Sequence, residues 1–352
     1  MKLQLASLCL LLLASSLLAD SFVYVSLDGE NRIAVYSLDD NGGLTKRHDV
    51  QTESPPGALC VSPDGNYLYA SLRKAGNISS FLITKQTGAL APINTVTAGD
   101  DPAFVSTDQT GKYLFAAYYV AAKVTVHRLQ NGHISEAPIQ SLPTDEKAHA
   151  ILTDRQNQLA FVPHTGPNAI YQFHFDAEAG QLRANEQPIV QTGYNTGPRQ
   201  LAFHPTLDVV YFDYEQGSAI AAYNLNRETG SLTFRERMSS LPANYTDKNS
   251  NARIEMTPNG RFIYVANRGH NSLAGFAIDA ESGRLTSLGQ FATEPIPRGF
   301  AIDPTSRFLV AAGQGSDKLA TFSIAPESGR LARLETYEVG TRPWWVLIAD
   351  FE

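Results

Sequence analysis

A chain of 352 residues that is 43% hydrophobic and 18% charged carries enough apolar material for a large core and too much for a disordered polypeptide. Its net charge of −7 and its lack of any lysine/arginine block argue against nucleic-acid binding, which needs a concentrated basic face. A small anionic substrate stays possible, because a local basic pocket can sit on an acidic protein.

Residues 1–19 come first and stand apart. Lys2 is the single charge before Asp20, and Leu8 to Leu13 with Leu17 and Leu18 form an apolar run that ends in the small residue Ala19. That pattern predicts a secretory signal peptide cleaved after Ala19, leaving a chain of residues 20–352 that is exported to the periplasm or secreted. A retained anchor would need roughly 20 apolar residues, and Ser15-Ser16 interrupts the run, so no membrane association is expected after cleavage. With Cys9 removed, Cys60 is left alone. No intrachain disulfide or cysteine-based zinc site can then form, and Cys60, within Leu59-Cys60-Val61, is expected to be a buried inert thiol.

From Phe22 onward one motif recurs: an apolar strand, a polar linker, a second apolar strand, then a turn and a leucine. It runs as FVYVSLDGENRIAVYSLDDNGGL (22–44), YLYASLRKAGNISSFLITKQTGAL (67–90), YLFAAYYVAAKVTVHRLQNGHI (113–134) and QLAFVPHTGPNAIYQFHFDAEAGQL (158–182). Three more copies follow at 209–232, 262–285 and 308–331. The closing residues Leu44, Leu90, Ile134, Leu182, Leu232, Leu285 and Leu331 are 46, 44, 48, 50, 53 and 46 apart. Each copy follows another short strand and a turn such as Ser62-Pro63-Asp64-Gly65, where proline presets φ and glycine supplies positive φ. Four strands per repeat of 40–50 residues, with no helical periodicity, predict an all-β, seven-bladed β-propeller. No composition break divides residues 20–352, so they read as one domain. Thr341 to Ala349 resembles a first strand lacking its second, and Phe22 to Ser26 a second strand lacking its first. Pairing them in one blade would close the ring.

In 197–223, GPRQLAFHPTLDVVYFDYEQGSAIAAY, Arg199 precedes one strand and Glu215 follows the next. An antiparallel hairpin puts both at the same edge. Blade equivalence extends this to two rings. The residues just before each first strand, six ahead of the turn proline where there is one, are Gly57, Asp101, His149, Arg199, Ala252, Arg298 and Trp344. Those five before the third-strand anchors Ile33, Ile78, Val124, Ile170, Ile220, Leu273 and Leu319 are Asp28, Arg73, Tyr119, Thr165, Glu215, Arg268 and Gln314. His149, Arg199, Arg298, Glu215 and Arg268, joined by Arg73 and His164, are therefore expected at one mouth of the central channel.

Singly, such loop charges are mostly solvated or structural ion pairs; gathered in a concavity they make a binding site. Guanidinium forks suit carboxylate or phosphate, and a histidine or glutamate beside them can serve as general base while an arginine steadies an oxyanion. No G-x-S-x-G elbow, spaced metal-ligand set or phosphate-cradling glycine loop is present, so neither a metal nor an organic cofactor is expected.

GPRQLAFHP (197–205), YEQGS (214–218), RFIYVANRGHNSLAGF (261–276), IPRGFAIDP (296–304) and RPWWVLI (342–348) resemble the lactonase family of seven-bladed propellers. That family is typified by bacterial 6-phosphogluconolactonase and includes the carboxymuconate-lactonising enzymes as sisters. The resemblance runs from about Phe22 to the end. It implies active-site roles for His149, Arg199, Glu215 and Arg268; Arg298, Arg73 and His164, placed at the mouth by spacing, are expected to bind substrate. It also implies hydrolysis of a small anionic lactone, sugar-derived or otherwise, to the hydroxy acid. Lactone formation on a muconate-like diacid and a non-catalytic binding propeller are the alternatives, and a monomer is the expected state. The chain departs from the family at Gln200, Tyr214 and Arg253, beside the expected site. Export also sets it apart from an enzyme acting on a cytosolic sugar phosphate.

Overall fold

The computed structural model describes residues 21–351, so the proposed signal segment lies outside the described residues. Seven antiparallel sheets are present, six of four strands and one of five. We number the blades by their innermost strands in chain order. Blade 1 begins at Leu59–Val61, blade 2 at Pro102–Thr107, blade 3 at Leu152–Thr153 and blade 4 at Pro198–Phe203. Blade 5 begins at Asn251–Met256, blade 6 at Pro297–Ile302 and blade 7 at Pro343–Asp350. Around most of the ring these inner strands pack against one another and enclose the channel.

Closure follows the expected route. Pro343–Asp350 pairs antiparallel with Ser21–Leu27, with Val23 opposite Ile348 and Val25 opposite Val346. Arg32–Leu38 and Leu44–Gln51 complete that blade. Chain ends more than 300 residues apart thus share one ladder, and the last blade is not left without its inner strand.

The middle strands alternate between buried faces on both sides, because each is flanked by a neighbouring blade. Aromatic residues bridge these interfaces. Tyr113, Tyr211 and Tyr264 each lie near the start of a second strand and donate their hydroxyls to Glu178, Gly283 and Gly329 backbone oxygens of the next blade, at 2.9, 2.6 and 2.6 Å. A buried tyrosine needs such an acceptor, so the clamp recurs. Blade 3 lacks the turn proline, and Asp154 does the work instead: its carboxylate accepts the Gln158 and Leu159 N–H groups at 2.8 Å.

Two details depart from the simplest repeat. The outer edge of blade 2 is split between His133–Ile134 and Gln140–Pro143, both pairing with Lys123–Gln130. The inner strand of blade 3 is only two residues long, with Ala148 joined to His164 by an isolated bridge.

Candidate active site

The rim residues are aimed by irregular backbone. In blade 4, Pro198 lies opposite Tyr214 and Leu201 opposite Phe212, so Arg199 and Gln200 together face Asp213. Two residues against one is a β-bulge, a device that re-aims a side chain at a sheet end. Similar register shifts occur at the same rim in blades 2, 5 and 6.

Arg199, 2% exposed, donates through Nη1 to the Ala252 carbonyl of blade 5. Its Nε lies 3.2 Å from Glu215 Oε2, an ion pair outside hydrogen-bonding geometry. Arg268 reaches the other carboxylate oxygen, with Nη2 to Glu215 Oε1 at 2.7 Å, and also donates to Asn251 O at 2.8 Å. The Glu215 backbone is held from both sides, its N–H by Gly197 O at 2.7 Å and its carbonyl by Asn251 N–H at 3.0 Å. One carboxylate thus holds two guanidinium groups from different blades.

Arg298 lies flat against Trp344, with Cζ 3.7 Å from the ring centroid. Gly299 makes this approach possible: a Cβ there would come within 2.6 Å of Trp344 O. Arg298 Nε is buried with no partner. Arg73 closes the circle with Cζ 5.7 Å from Trp344 and 5.8 Å from Tyr119, but its fork is occupied by Asp101 at 2.6 and 2.8 Å. His149 is 5% exposed, sits edge-on to Tyr119 at 5.6 Å and leaves Nδ1 without a partner.

The electrostatics agree with this geometry. Burial, followed by the fields of Arg199, Arg73 and Arg298, pushes the His149 pKa well below its ordinary value, so the imidazole is neutral at physiological pH. Burial by itself would raise Glu215, but Arg199 and Arg268 outweigh it and hold the carboxyl below the usual range. Burial lowers Arg199 to about 10. Burial and then Arg199, Arg268 and Arg73 make the Arg298 charge costly. Arginine keeps its proton in such places, so the cost becomes a demand for an anion.

His149, Arg199, Glu215, Arg268, Arg298 and Arg73 are therefore brought together. His164 is not. It is wholly buried, its Nδ1 hydrogen-bonds Val162 O at 2.9 Å, and its ring packs 4.4 Å from Tyr171. The departures at 200, 214 and 253 also leave the mouth open. Gln200 and Arg253 line a channel cavity of about 570 Å³ beneath the rim, where Arg253 stacks on Trp345 at 3.8 Å and pairs with Glu255. The Tyr214 hydroxyl meets that of Tyr223. Among the described residues, no group of three or more His, Cys, Asp or Glu side chains is placed to hold a metal ion.

Two features escape a reading of the rim from spacing. Asn251 and Asn267 form a buried knot with Ser240, whose Oγ donates to Asn267 Oδ1 at 2.7 Å, behind Arg268. Asp213 lies wholly buried directly under Arg199. Its signal in the sequence is one acid within an otherwise apolar and aromatic strand.

The family profile described as "Lactonase, 7-bladed beta-propeller" matches residues 16–97 and 56–348. The chain belongs to this lactonase propeller family. It is 32% identical over 326 residues to the 6-phosphogluconolactonase of Xenorhabdus nematophila, covering 93% of this chain and 98% of that one. The 6-phosphogluconolactonase of Yersinia pestis is 33% identical over 327 residues, covering 93% and 97%. Among solved structures, the periplasmic gluconolactonase of Pseudomonas aeruginosa superposes with a TM-score of 0.87 at 25% identity, over 94% of this chain and 99% of that one. The family thus accounts for the architecture across nearly the whole chain.

Proposed function

We propose that the rim site hydrolyses a small anionic lactone to its hydroxy acid, with His149 as general base and Glu215 as the residue that orders the arginines. The observation that carries this reading is Arg298, a buried guanidinium with an unpartnered Nε, set beside Arg199 and Arg268, which share the one carboxylate of Glu215, while Arg73 is held by Asp101. An anionic group of the substrate supplies the missing counter-charge. Family membership and relatives named as lactonases support the same chemistry.

Glu215 is a poor base, because both its oxygens lie against guanidinium groups and its proton affinity is lowered. His149 is neutral and unpaired at Nδ1. A bound anion offsets the arginine field, the smaller part of the downward shift, and so returns some basicity to the imidazole. A water then gives its proton to His149 while its oxygen adds to the lactone carbonyl carbon. The carbonyl electrons move to oxygen and are steadied by arginine. Collapse of that oxyanion breaks the ring C–O bond, and the departing alkoxide takes the proton back from His149.

Export fits this reading, with a substrate met outside the cytoplasm. Residues 1–19 support it, as does the likeness to a periplasmic gluconolactonase. The deciding experiment assays the purified mature protein on phosphorylated and unphosphorylated sugar lactones. Hydrolysis above the buffer rate is expected. Turnover of a muconate-like dicarboxylate with none of sugar lactones would select the lactonising reaction, and binding without turnover would select a binding propeller.

A further inference from the structure

We propose that Asp213 is a positioning residue that sets the charge of the arginine cluster: it holds the bulge carrying Arg199, and by taking up or releasing a proton it tunes the affinity of the site for anions. This rests on the anion-binding reading of the rim given above.

The position is singular. Asp213 pairs across the sheet with Ile220. The residues in the same register of the other blades are Ser26, Ser71, Ala117, Pro163, Ala266 and Ala312. Small or uncharged side chains suffice there, and a carboxyl in a fully buried layer is costly unless it has work to do.

Its two oxygens do different things. Oδ1 accepts the Gln200 N–H at 2.7 Å, a donor that the bulge leaves without a strand partner. This bond fixes the backbone from which Arg199 projects. Oδ2 is buried with no partner, so it is free to carry a proton.

The charged groups facing Asp213 are Arg199 on the adjacent inner strand, Glu215 two residues further along its own chain, and Arg268 from blade 5. Ile220 on the outer side is apolar. Burial, only partly offset by Arg199 and the Gln200 N–H, raises its pKa to about 7. Between pH 5 and 9 the arginines stay protonated and Glu215, held below the usual carboxyl range by them, stays ionised, while burial and the same arginines disfavour the charged form of His149; any proton it takes up is common to wild type and Asp213→Asn. With Asp213 neutral, three guanidinium groups (Arg199, Arg268, Arg298) face one carboxylate; with it ionised, they face two. One added negative charge about 10 Å from a bound anion weakens binding by about tenfold at an effective dielectric of about 20.

Two measurements on the full mature protein separate this proposal from the reading beneath it. Infrared difference spectra of wild type against Asp213→Asn, without ligand, should show a protonated-carboxyl band at pH 5 that titrates away near pH 7. Absence of that band at pH 5 overturns the proposal whatever the protein binds. Calorimetric binding of gluconate, a carboxylate of fixed charge over this range, should weaken about tenfold from pH 5 to 9 in wild type and less than twofold in Asp213→Asn. An equal slope in both proteins overturns the proposal with the anion site intact. Gluconate bound by neither overturns the anion-site reading and the proposal with it. Should Asp213→Asn not fold, Asp213→Ser, the residue of two other blades at this register, serves in both measurements.

Discussion

Glu215 Oε1 lies 2.7 Å from Arg268 Nη2, while its Oε2 lies 3.2 Å from Arg199 Nε. A carboxylate so engaged orders its neighbours better than it takes protons. Glu215→Gln should therefore raise KM about tenfold or more while leaving kcat within about tenfold. His149→Gln should lower kcat by roughly 10²–10⁴, the usual worth of a general base. Steady-state kinetics on the preferred lactone decides between them, and the reverse pattern would make Glu215 the base. Arg199→Lys keeps the charge but loses the reach to Ala252 O, so affinity should fall with some turnover surviving.

Trp344 is the platform for Arg298. Trp344→Leu removes a cation–π contact of about 0.5–2 kcal/mol, which corresponds to roughly a 2–30-fold rise in KM. Because the ring touches no group assigned to proton transfer, kcat should stay within about threefold. A large loss of kcat with KM unchanged would place Trp344 in the chemistry instead.

Deleting residues 343–352 should abolish folding. The strand Pro343–Asp350 is the inner strand of its blade and pairs along its length with Ser21–Leu27. Losing it exposes a sheet edge and the partners of Trp345, Val346 and Ile348, against a net stability of only about 5–15 kcal/mol. Circular dichroism should show no cooperative melt. An unchanged melting curve would contradict the closure described above.

Two buried groups should tilt stability in opposite directions across mildly acidic solution. His164 has a folded pKa lowered to about 4 by burial, which outweighs the Val162 O hydrogen bond that favours the charged ring, and its Nε2 has no partner. Below pH 6.5 the unfolded chain binds the proton first, so stability falls as pH drops from 6.5 toward 4. Asp213 acts oppositely. Its folded pKa is about 7 against an ordinary 3.8, so the native state binds the extra proton and stability falls as pH rises from about 4 to 7. Relative to wild type, melting temperature should shift downward with rising pH between about 4 and 6.5 in His164→Asn, and upward with rising pH between about 4 and 7 in Asp213→Asn.

The mature protein should begin at Asp20 and be recovered outside the cytoplasm. N-terminal sequencing of the expressed protein checks this directly, and an intact Met1 in a cytosolic fraction would contradict it.

The sequence by itself determined the architecture and the rim. A repeat of 44–53 residues leaves few ways to bury two-sided strands, and blade equivalence places Arg199, Glu215, Arg268, Arg298 and His149 on one circle without any knowledge of contacts. Pairing between 22–26 and 341–349 was legible for the same reason, since each end lacked the strand the other supplied. Which side chains meet was decided by the tertiary structure alone. Arg73 reaches the mouth but turns its fork to Asp101, 28 residues away, and His164 tucks its ring against Tyr171, although spacing puts it beside the mouth. Gln200 and Arg253 drop into the channel instead of lining the site. Asp213 acquires its place under Arg199 from a bulge that local pattern does not announce. Strand periodicity specifies which face a residue takes, whereas rotamers, bulges and neighbours more than fifty residues distant, such as Ala252 for Arg199, specify its partner.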